Sequence, residues 1–518
     1  MVKLRRTIQL LFLLLFLVLF LRARYPYQVS IPSDFFLRFS PLTPLFYFID
    51  SLYLPAFLWP ALLILLLTPV FGRFFCGWMC PLGTALDIFS HLVKSPDNRR
   101  SQKWEKFRSV KFGLLLALII MAVFSLPLWG YLDPLAIFTR MTTILLYPLF
   151  TLFAETTLDW LSRHPVLETI GEPAYDFFKN VVMPENQAHH TAIFSVLVLV
   201  VIIFALEKLS RRFWCRYLCP AGALLGLLSV FRIFGRKVSS DCPVCYQCVT
   251  QCKMGAIPRE DVHRTRNTEC IQSFSCATTC PPKTLSIYYR FHWSWPPVAP
   301  DFSRRTFLRS LGGGILTLGL FQLQPSRKKE KDRLIRPPGA LVEEEFLDRC
   351  IRCLECVRIC ESNGGCLQPS GFETGWENLW TPVARMRDGY CEYECNLCGQ
   401  VCPTNAILPL TLEEKKHTPM GIAYFDKNIC IPYARNEDCI VCEEHCPVPE
   451  KAIRFEQKEV TLPDGTQRMV KFPYVVRELC IGCGICETKC PLPGAPGIFV
   501  TRENEKRFLP GENEIISG

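Results

Sequence analysis

The cysteines constrain this chain more than any other feature. There are 28 in 518 residues, none lies before Cys76, and most fall in tight groups from Cys242 onward. CPVCYQCVTQC holds Cys242, Cys245, Cys248 and Cys252, and CIQSFSCATTCPP holds Cys270, Cys276 and Cys280. Four more groups follow: CIRCLECVRIC (Cys350, Cys353, Cys356, Cys360), CEYECNLCGQVCP (Cys391, Cys395, Cys398, Cys402), CIVCEEHCP (Cys439, Cys442, Cys446) and CIGCGICETKCP (Cys480, Cys483, Cys486, Cys490). Such spacing reads as metal or cluster ligation rather than as a disulfide framework.

Three thiols at i, i+3 and i+6 wrap a small loop around one cubane, and in two-cluster ferredoxins the fourth cysteine of a run ligates the other cluster. Zinc sites usually come as separated cysteine pairs, whereas the recurring Cys-x3-Cys-Pro ending favours iron–sulfur. One site can therefore use Cys242, Cys245, Cys248 and Cys280. The next has only Cys252, Cys270 and Cys276, because Ser273 stands where the second cysteine of the run belongs. A three-iron cluster is one expectation there; a four-iron cluster with Ser273 or another ligand is the other. Further on, Cys430 precedes Cys439 by nine residues and supplies the ligand missing from its run. Cys366 is left over and reads as a structural free cysteine. The count predicts five or six 4Fe-4S clusters, one of which is a 3Fe-4S candidate. Segments such as AILPL and KAIRFE suggest the small strands of ferredoxin folds.

Hydropathy adds a second constraint. The chain is 49% hydrophobic with mean hydropathy +0.18. Four segments read as spanning helices: Ile8 to Leu21, Leu52 to Phe71, Phe112 to Trp129 and Thr191 to Leu206. A span needs about 20 apolar residues, so the first and fourth are slightly short. The first reads as an anchor, since no small-x-small cleavage site follows it. The net charge of +10 is carried beside these runs and so favours membrane orientation over nucleic acid. Arg73, Lys94, Arg99, Arg100 and Lys103 follow the second run, and Lys208, Arg211, Arg212 and Arg216 follow the fourth. Ala154 to His190 is net acidic. The positive-inside rule puts the N-terminus in the cytoplasm, provided that Tyr131 to Phe150, with Arg140, Pro134 and Pro148, is re-entrant or interfacial.

One stretch is written twice. GRFFCGWMCPLGTALD (Gly72 to Asp87) and RRFWCRYLCPAGALLG (Arg211 to Gly226) align without a gap. If the helix continues through the motif, Cys76 and Cys80 share a face, as do Cys215 and Cys219; proline after the second cysteine can instead begin a new helix. Two such hairpins would gather four thiols at the cytoplasmic membrane surface as a redox centre that ligates metal or cycles as a disulfide. The bland alternative is four buried small hydrophobes. Arg73 and Arg212, three residues before each first cysteine, would favour thiolate. Farther on, SRRTFLRSLGGGILTLGLFQL (Ser303 to Leu323) resembles a twin-arginine export signal, although the basic residues just downstream oppose export by the charge rule.

The duplicated Cys-x3-Cys-Pro motifs with a ferredoxin segment resemble the NapH-type membrane polyferredoxins, whose membrane core is similar to those of the NosR and CcoG families. The C-terminal runs resemble the exported NapG/MauM-type four-cluster ferredoxins. The resemblance implies a fusion: an α-helical membrane domain of four to five spanning helices plus small α+β ferredoxin-like domains. The domains expected are a membrane core (1–237), a cytoplasmic ferredoxin-like segment (238–300), a twin-arginine-like anchor (301–325), a linker (326–340) and a four-cluster domain (341–518). It also implies pairing of outer with outer and inner with inner runs: Cys350, Cys353, Cys356 with Cys490; Cys480, Cys483, Cys486 with Cys360; Cys391, Cys395, Cys398 with Cys446; and Cys430, Cys439, Cys442 with Cys402. The function implied is a quinol dehydrogenase module of the cytoplasmic membrane, passing electrons from the quinone pool to an extracytoplasmic redox enzyme or carrier. A CcoG-type copper or metal-ion reductase and a membrane redox sensor are the alternatives. No nucleotide loop, flavin fingerprint or haem Cys-x-x-Cys-His is present.

Overall fold

The structure, a computed structural model, describes residues 2–26, 31–96, 100–163, 168–181, 183, 190, 192–280, 284–289, 308–309, 311–316, 319, 334–462 and 465–510. Arg304, Arg305, the basic residues from Arg327 to Arg333 and part of the acidic stretch lie outside these. The chain divides into two compact units. The first comprises Met1–Phe20, Ile31–Thr142 and Phe194–Gln324; the second comprises Leu21–Ser30, Thr143–Ile193 and Pro325–Gly518. The expected membrane core 1–237 is thus not one body, because residues 21–30 and 143–193 are built into the C-terminal unit.

The chain is mostly helical. Among the described residues two helices are long and apolar enough to cross a membrane, Val2–Arg22 of 21 residues and Pro134–Leu161 of 28. The other expected spans are shortened at identifiable points. Leu52 turns left-handed at φ 53°, and Pro55 leads into a 3-10 turn, so the helix proper is Trp59–Phe71. Val110–Val123 stops before Ser125, which is left-handed at φ 55°. Ile193–Ala205 has 13 residues.

Most of Tyr131 to Phe150, expected to be re-entrant or interfacial, lies in one helix, Pro134–Leu161. Asp133 caps that helix, its Oδ2 accepting from the Ala136 N–H at 3.0 Å. Pro134 sits at the start, where a missing N–H costs nothing. Pro148 follows a π-helical stretch, Thr142–Leu146, which absorbs the clash a helix-interior proline would otherwise make. Arg140 is fully buried and donates to the Gly130 carbonyl at 3.2 Å.

Among the described residues the strands form four two-stranded antiparallel sheets. β1 (Phe234–Val238) pairs with β2 (Leu285–Tyr289), bracketing the first two cysteine runs, so the expected boundary at 237/238 falls inside β1. β3 (Leu367–Pro369) pairs with β4 (Pro382–Ala384). β5 (Ile422–Phe425) pairs with the distant β8 (Ile498–Thr501), and between them β6 (Ile453–Thr461) and β7 (Gln467–Val475) make a hairpin. KAIRFE thus enters β6, whereas AILPL makes only an isolated bridge from Ile407 to Ala340.

Within the second unit, residues from the helical segments are bonded into the cysteine-rich part. His190 Nε2 stands 3.0 Å from Glu361 Oε1, with both side chains buried. Its Nδ1 lies 3.2 Å from Gln368 Oε1. The Tyr25 N–H donates to Ser362 Oγ at 3.0 Å, and the Arg358 guanidinium covers the Tyr147 ring at 3.9 Å.

Candidate functional site

The cysteine runs share a backbone device. In four of them the second and fourth residues after the first cysteine are left-handed: Val244 and Tyr246 (φ 52° and 57°), Gln272 and Phe274 (54° and 55°), Arg352 and Leu354 (57° and 67°), Gly482 and Gly484 (68° and 79°). Alternation of this kind coils a short loop into a concavity of N–H groups suited to an anion. Each loop then enters a short helix carrying the cysteine six residues after the first: Cys248, Cys276, Cys356 and Cys486.

These loops gather thiols around open space. Cys242, Cys245, Cys248 and Cys280 line one cavity. Cys252, Cys270 and Cys276 line the next, together with Ser273. Cys430, Cys439, Cys442 and Cys490 line a third, and Cys446, Cys480, Cys483 and Cys486 a fourth. Among the described residues no three Cys, His, Asp or Glu side chains converge closely enough to share a single ion. Thiols set around a void fit a multi-iron cluster better than one zinc ion.

The remaining eight ligand candidates fall into two sets by mutual electrostatics. Burial pushes the Cys353 and Cys356 thiols well up, and Cys350 and Cys402 add to both. Burial likewise raises Cys398 and, to about 12, Cys395; Cys391 and Cys360 reinforce both. The sets are therefore Cys350, Cys353, Cys356 with Cys402, and Cys391, Cys395, Cys398 with Cys360.

The outer-with-outer pairing expected from the resemblance is corrected: runs adjacent in sequence exchange their fourth cysteines. Tertiary contacts explain the exchange. The β5–β8 ladder ends beside both Cys430 and Cys490, and Gly497 abuts the Cys430 backbone so closely that a Cβ would stand 2.8 Å from its Cα. In the other half, Ile359 packs with Leu397 and Val401 and draws the first two runs together.

Successive sets also feel one another. Cys398 raises Cys356, Cys391 raises Cys483, and Cys442 raises Cys486, each after burial. The backbone bond from Cys391 N–H to the Cys483 carbonyl, 2.8 Å, ties the two halves. The order is Cys350-type, Cys391-type, Cys480-type, Cys430-type. Cys366, read as a structural cysteine, is buried with its Sγ 4.0 Å from Cys360 Sγ.

In the first unit the duplicated motif does not continue one helix. Cys76 lies in Phe74–Trp78, but Cys80 is extended (ψ 116°) and caps Pro81–Leu92. Cys215 lies in a π turn, Trp214–Leu218, and Cys219 (ψ 113°) caps Pro220–Leu228 with its Sγ accepting from the Gly222 N–H at 3.3 Å. The residue before proline avoids the helical region, so the expected shared helical face is corrected to two consecutive elements. The four thiols are nonetheless neighbours. Burial raises Cys80, Cys215 and Cys219, to about 12 for Cys215, with the other thiols contributing. Arg212 and Arg73 act in the opposite sense on Cys215 and lose to burial, so that thiol is held protonated rather than as thiolate.

The arginines instead cross over. Arg73 of the first copy donates to the Cys215 carbonyl at 3.4 Å, and Arg212 of the second donates to the Cys76 carbonyl at 2.8 Å. Arg212 grips both oxygens of Asp87 at 2.9 Å, and Asp87 also meets Arg5 and Lys253, each at 2.8 Å. These cations hold the Asp87 carboxyl below the usual carboxylate range despite its burial. Arg73 meets Glu269 at 3.3 Å, and Glu269 meets Lys111 at 2.6 Å. Lys253 and Glu269 directly follow and precede Cys252 and Cys270, so the motif is wired to the three-cysteine cavity. No spacing in the sequence marks Asp87, Lys253 or Glu269 as its partners.

A family model described as a 4Fe-4S binding domain matches residues 53–99 and again 190–240, once over each copy of the motif, and another 4Fe-4S binding domain model matches 473–492. The ferredoxin-type protein NapG of Escherichia coli (strain K12) is 33% identical over 201 residues, 37% of this chain and 83% of NapG. The methylamine utilization ferredoxin-type protein MauM of Paracoccus denitrificans is 35% identical over 216 residues, 41% of this chain and 89% of MauM. The putative electron transport protein YccM of Escherichia coli is 25% identical over 252 residues, 47% of this chain and 56% of YccM. No solved structure matches. With its cysteine sets and these relatives, the chain belongs to the ferredoxin-type NapG/MauM family of iron–sulfur electron-transfer proteins.

Proposed function

We propose that the chain is a membrane-bound quinol dehydrogenase module that takes electrons from quinol and delivers them to an extracytoplasmic redox enzyme or carrier. Bound in the cysteine cavities, iron–sulfur clusters supply a series of one-electron carriers. The chain's own contribution is to hold the thiols, keep them dry and order the sets. The observation that carries this reading is the composition of the second unit. Residues 143–193 pack into the C-terminal domain beside Cys360, with Glu361 and Ser362 bonded to His190 and Tyr25. That stretch is acidic and by the charge rule extracytoplasmic, which supports the same side for the cysteine domain. Cys360 belongs to the Cys391 set, second in the order and beside those helical residues, and the Cys430 set ends the order, where an acceptor would receive electrons.

The duplicated thiols are assigned to the quinol end. Anaerobic membranes should show cluster EPR signals on adding a soluble quinol. Cys76→Ser and Cys215→Ser should abolish that reduction while dithionite still reduces the C-terminal clusters, and the double variant should be no worse than either single one. Normal quinol reduction in both variants would remove the thiols from the route. Cupric ion reduction that needs the same cysteines, with no response to quinol, would replace this reading with a metal-ion reductase.

A further inference from the structure

We propose that Ser273 is the fourth protein ligand in the cavity of Cys252, Cys270 and Cys276. That site would then bind a four-iron cluster through one oxygen and three sulfurs, while its neighbour at Cys242, Cys245, Cys248 and Cys280 uses four sulfurs. The assignment depends on the cysteine sets and not on quinol as donor.

Backbone conformation carries it. Four loops share the pair of left-handed residues described above, and in three of them a cysteine stands between the pair: Cys245, Cys353 and Cys483. In the fourth, Ser273 stands between Gln272 at φ 54° and Phe274 at φ 55°. Neither neighbour is a glycine or asparagine, the residues that tolerate this region. Holding such residues there is strained, and the conformation persists only where the surroundings over-determine it. A loop that had merely lost a ligand would have no reason to keep the ligand-presenting shape.

Ser273 also lines the cavity itself, beside the three thiols. The loop is pinned from outside. Trp78 Nε1, inside the first Cys-x3-Cys motif, donates to the Gln272 carbonyl at 3.1 Å, and Gln272 Nε2 donates to the Phe234 carbonyl at 3.1 Å. Gly77 leaves room for the Ile271 carbonyl, which a Cβ would meet at 2.2 Å.

Ligation forms an iron–Oγ bond as the hydroxyl proton passes to water, and no oxidation state changes. Oxygen is a harder donor than sulfur and favours ferric over ferrous iron. This site is therefore harder to reduce than the same site with cysteine.

The full-length protein, purified anaerobically in detergent, tests this in wild-type form and as Ser273→Cys and Ser273→Ala, read by iron content, 57Fe Mössbauer spectra, EPR and redox titration. Wild type and Ser273→Cys should hold equal iron, with one cluster potential raised in the cysteine variant. Ser273→Ala should lose a single iron per chain and show a three-iron EPR signal on oxidation. If the alanine variant fails to assemble, the wild-type and cysteine forms still decide. Identical potentials in those two, an alanine variant spectrally identical to wild type, or a wild type that already holds a three-iron cluster would each overturn the assignment.

Discussion

The two copies of the motif are alike in sequence but differ in what they hold. In both, an arginine reaches across to the other copy's cysteine carbonyl, and a cysteine caps the helix that its proline opens. The anchoring carboxylates differ. Arg212 finds Asp87 within the first copy, but the aligned position of the second copy is Gly226, which a Cβ would press to 2.9 Å from the Thr268 carbonyl. Arg73 must therefore take Glu269, from the ferredoxin segment. The contacts between the cysteines differ as well. Gly77 and Trp78 hold Ile271 and Gln272, beside Cys270, whereas Arg216 crowds Gly255, just past Cys252. Each copy grips a different run, and both grips meet at the same cavity. The two copies share crossed arginines, and their differing contacts make the pair one-sided enough to seat a single site.

The asymmetry is most exposed at the arginines. Arg212→Ala should be the most damaging change, since it removes bonds to the Cys76 and Gly83 carbonyls and both Asp87 oxygens. Breaking a buried pair costs about 3–5 kcal/mol. Arg73→Ala should cost less, because its bonds to Glu269 and the Cys215 carbonyl are longer, 3.3 and 3.4 Å. Thermal unfolding in detergent gives the ranking; an equal or greater loss for Arg73→Ala breaks the comparison.

Next in size is Gly77→Ala, where the obstructing atom is a backbone carbonyl that cannot swing aside. Overpacking of this kind costs about 1–3 kcal/mol. The EPR signal of the three-cysteine site should weaken while the C-terminal signals persist; loss of both sets of signals would mean the grip is not local. The smallest contrast lies at the matched glycines. A Cβ on Gly222 meets Arg73 Nη2 at 2.5 Å, whereas one on Gly83 meets the Cys76 carbonyl at 3.1 Å. Ala also gains about 1 kcal/mol of helix propensity. Gly83→Ala should be near neutral and Gly222→Ala mildly destabilising by melting temperature, and a reversed order would show that Arg73 yields freely.

Much of the site was legible because its grammar is local. Thiols at i, i+3 and i+6 need only one loop, so the runs and the gap at Ser273 could be read directly. The net-acidic stretch and the basic loops were equally plain, being simple sums of charge. Helix extent was less so. Hydropathy marked Leu52 to Phe71 as one span, yet a left-handed Leu52 and the turn at Pro55 shorten it. Arg140 and two prolines argued for a re-entrant or interfacial helix, and within Pro134–Leu161 a cap, a π stretch and a buried hydrogen bond accommodate all three.

By itself the sequence determined that this chain gathers cysteines for iron–sulfur chemistry, writes one motif twice and carries long apolar helices, because each of these is a property of neighbours along the chain. Only the tertiary structure decided which fourth cysteine completes which set. That choice depends on β5 meeting β8 and on Ile359 meeting Leu397, contacts between residues far apart that no spacing encodes. It also decided that Asp87 and Glu269 anchor the crossed arginines, since buried charges must find partners wherever the fold brings them, and here the partner of one copy came from outside the repeat.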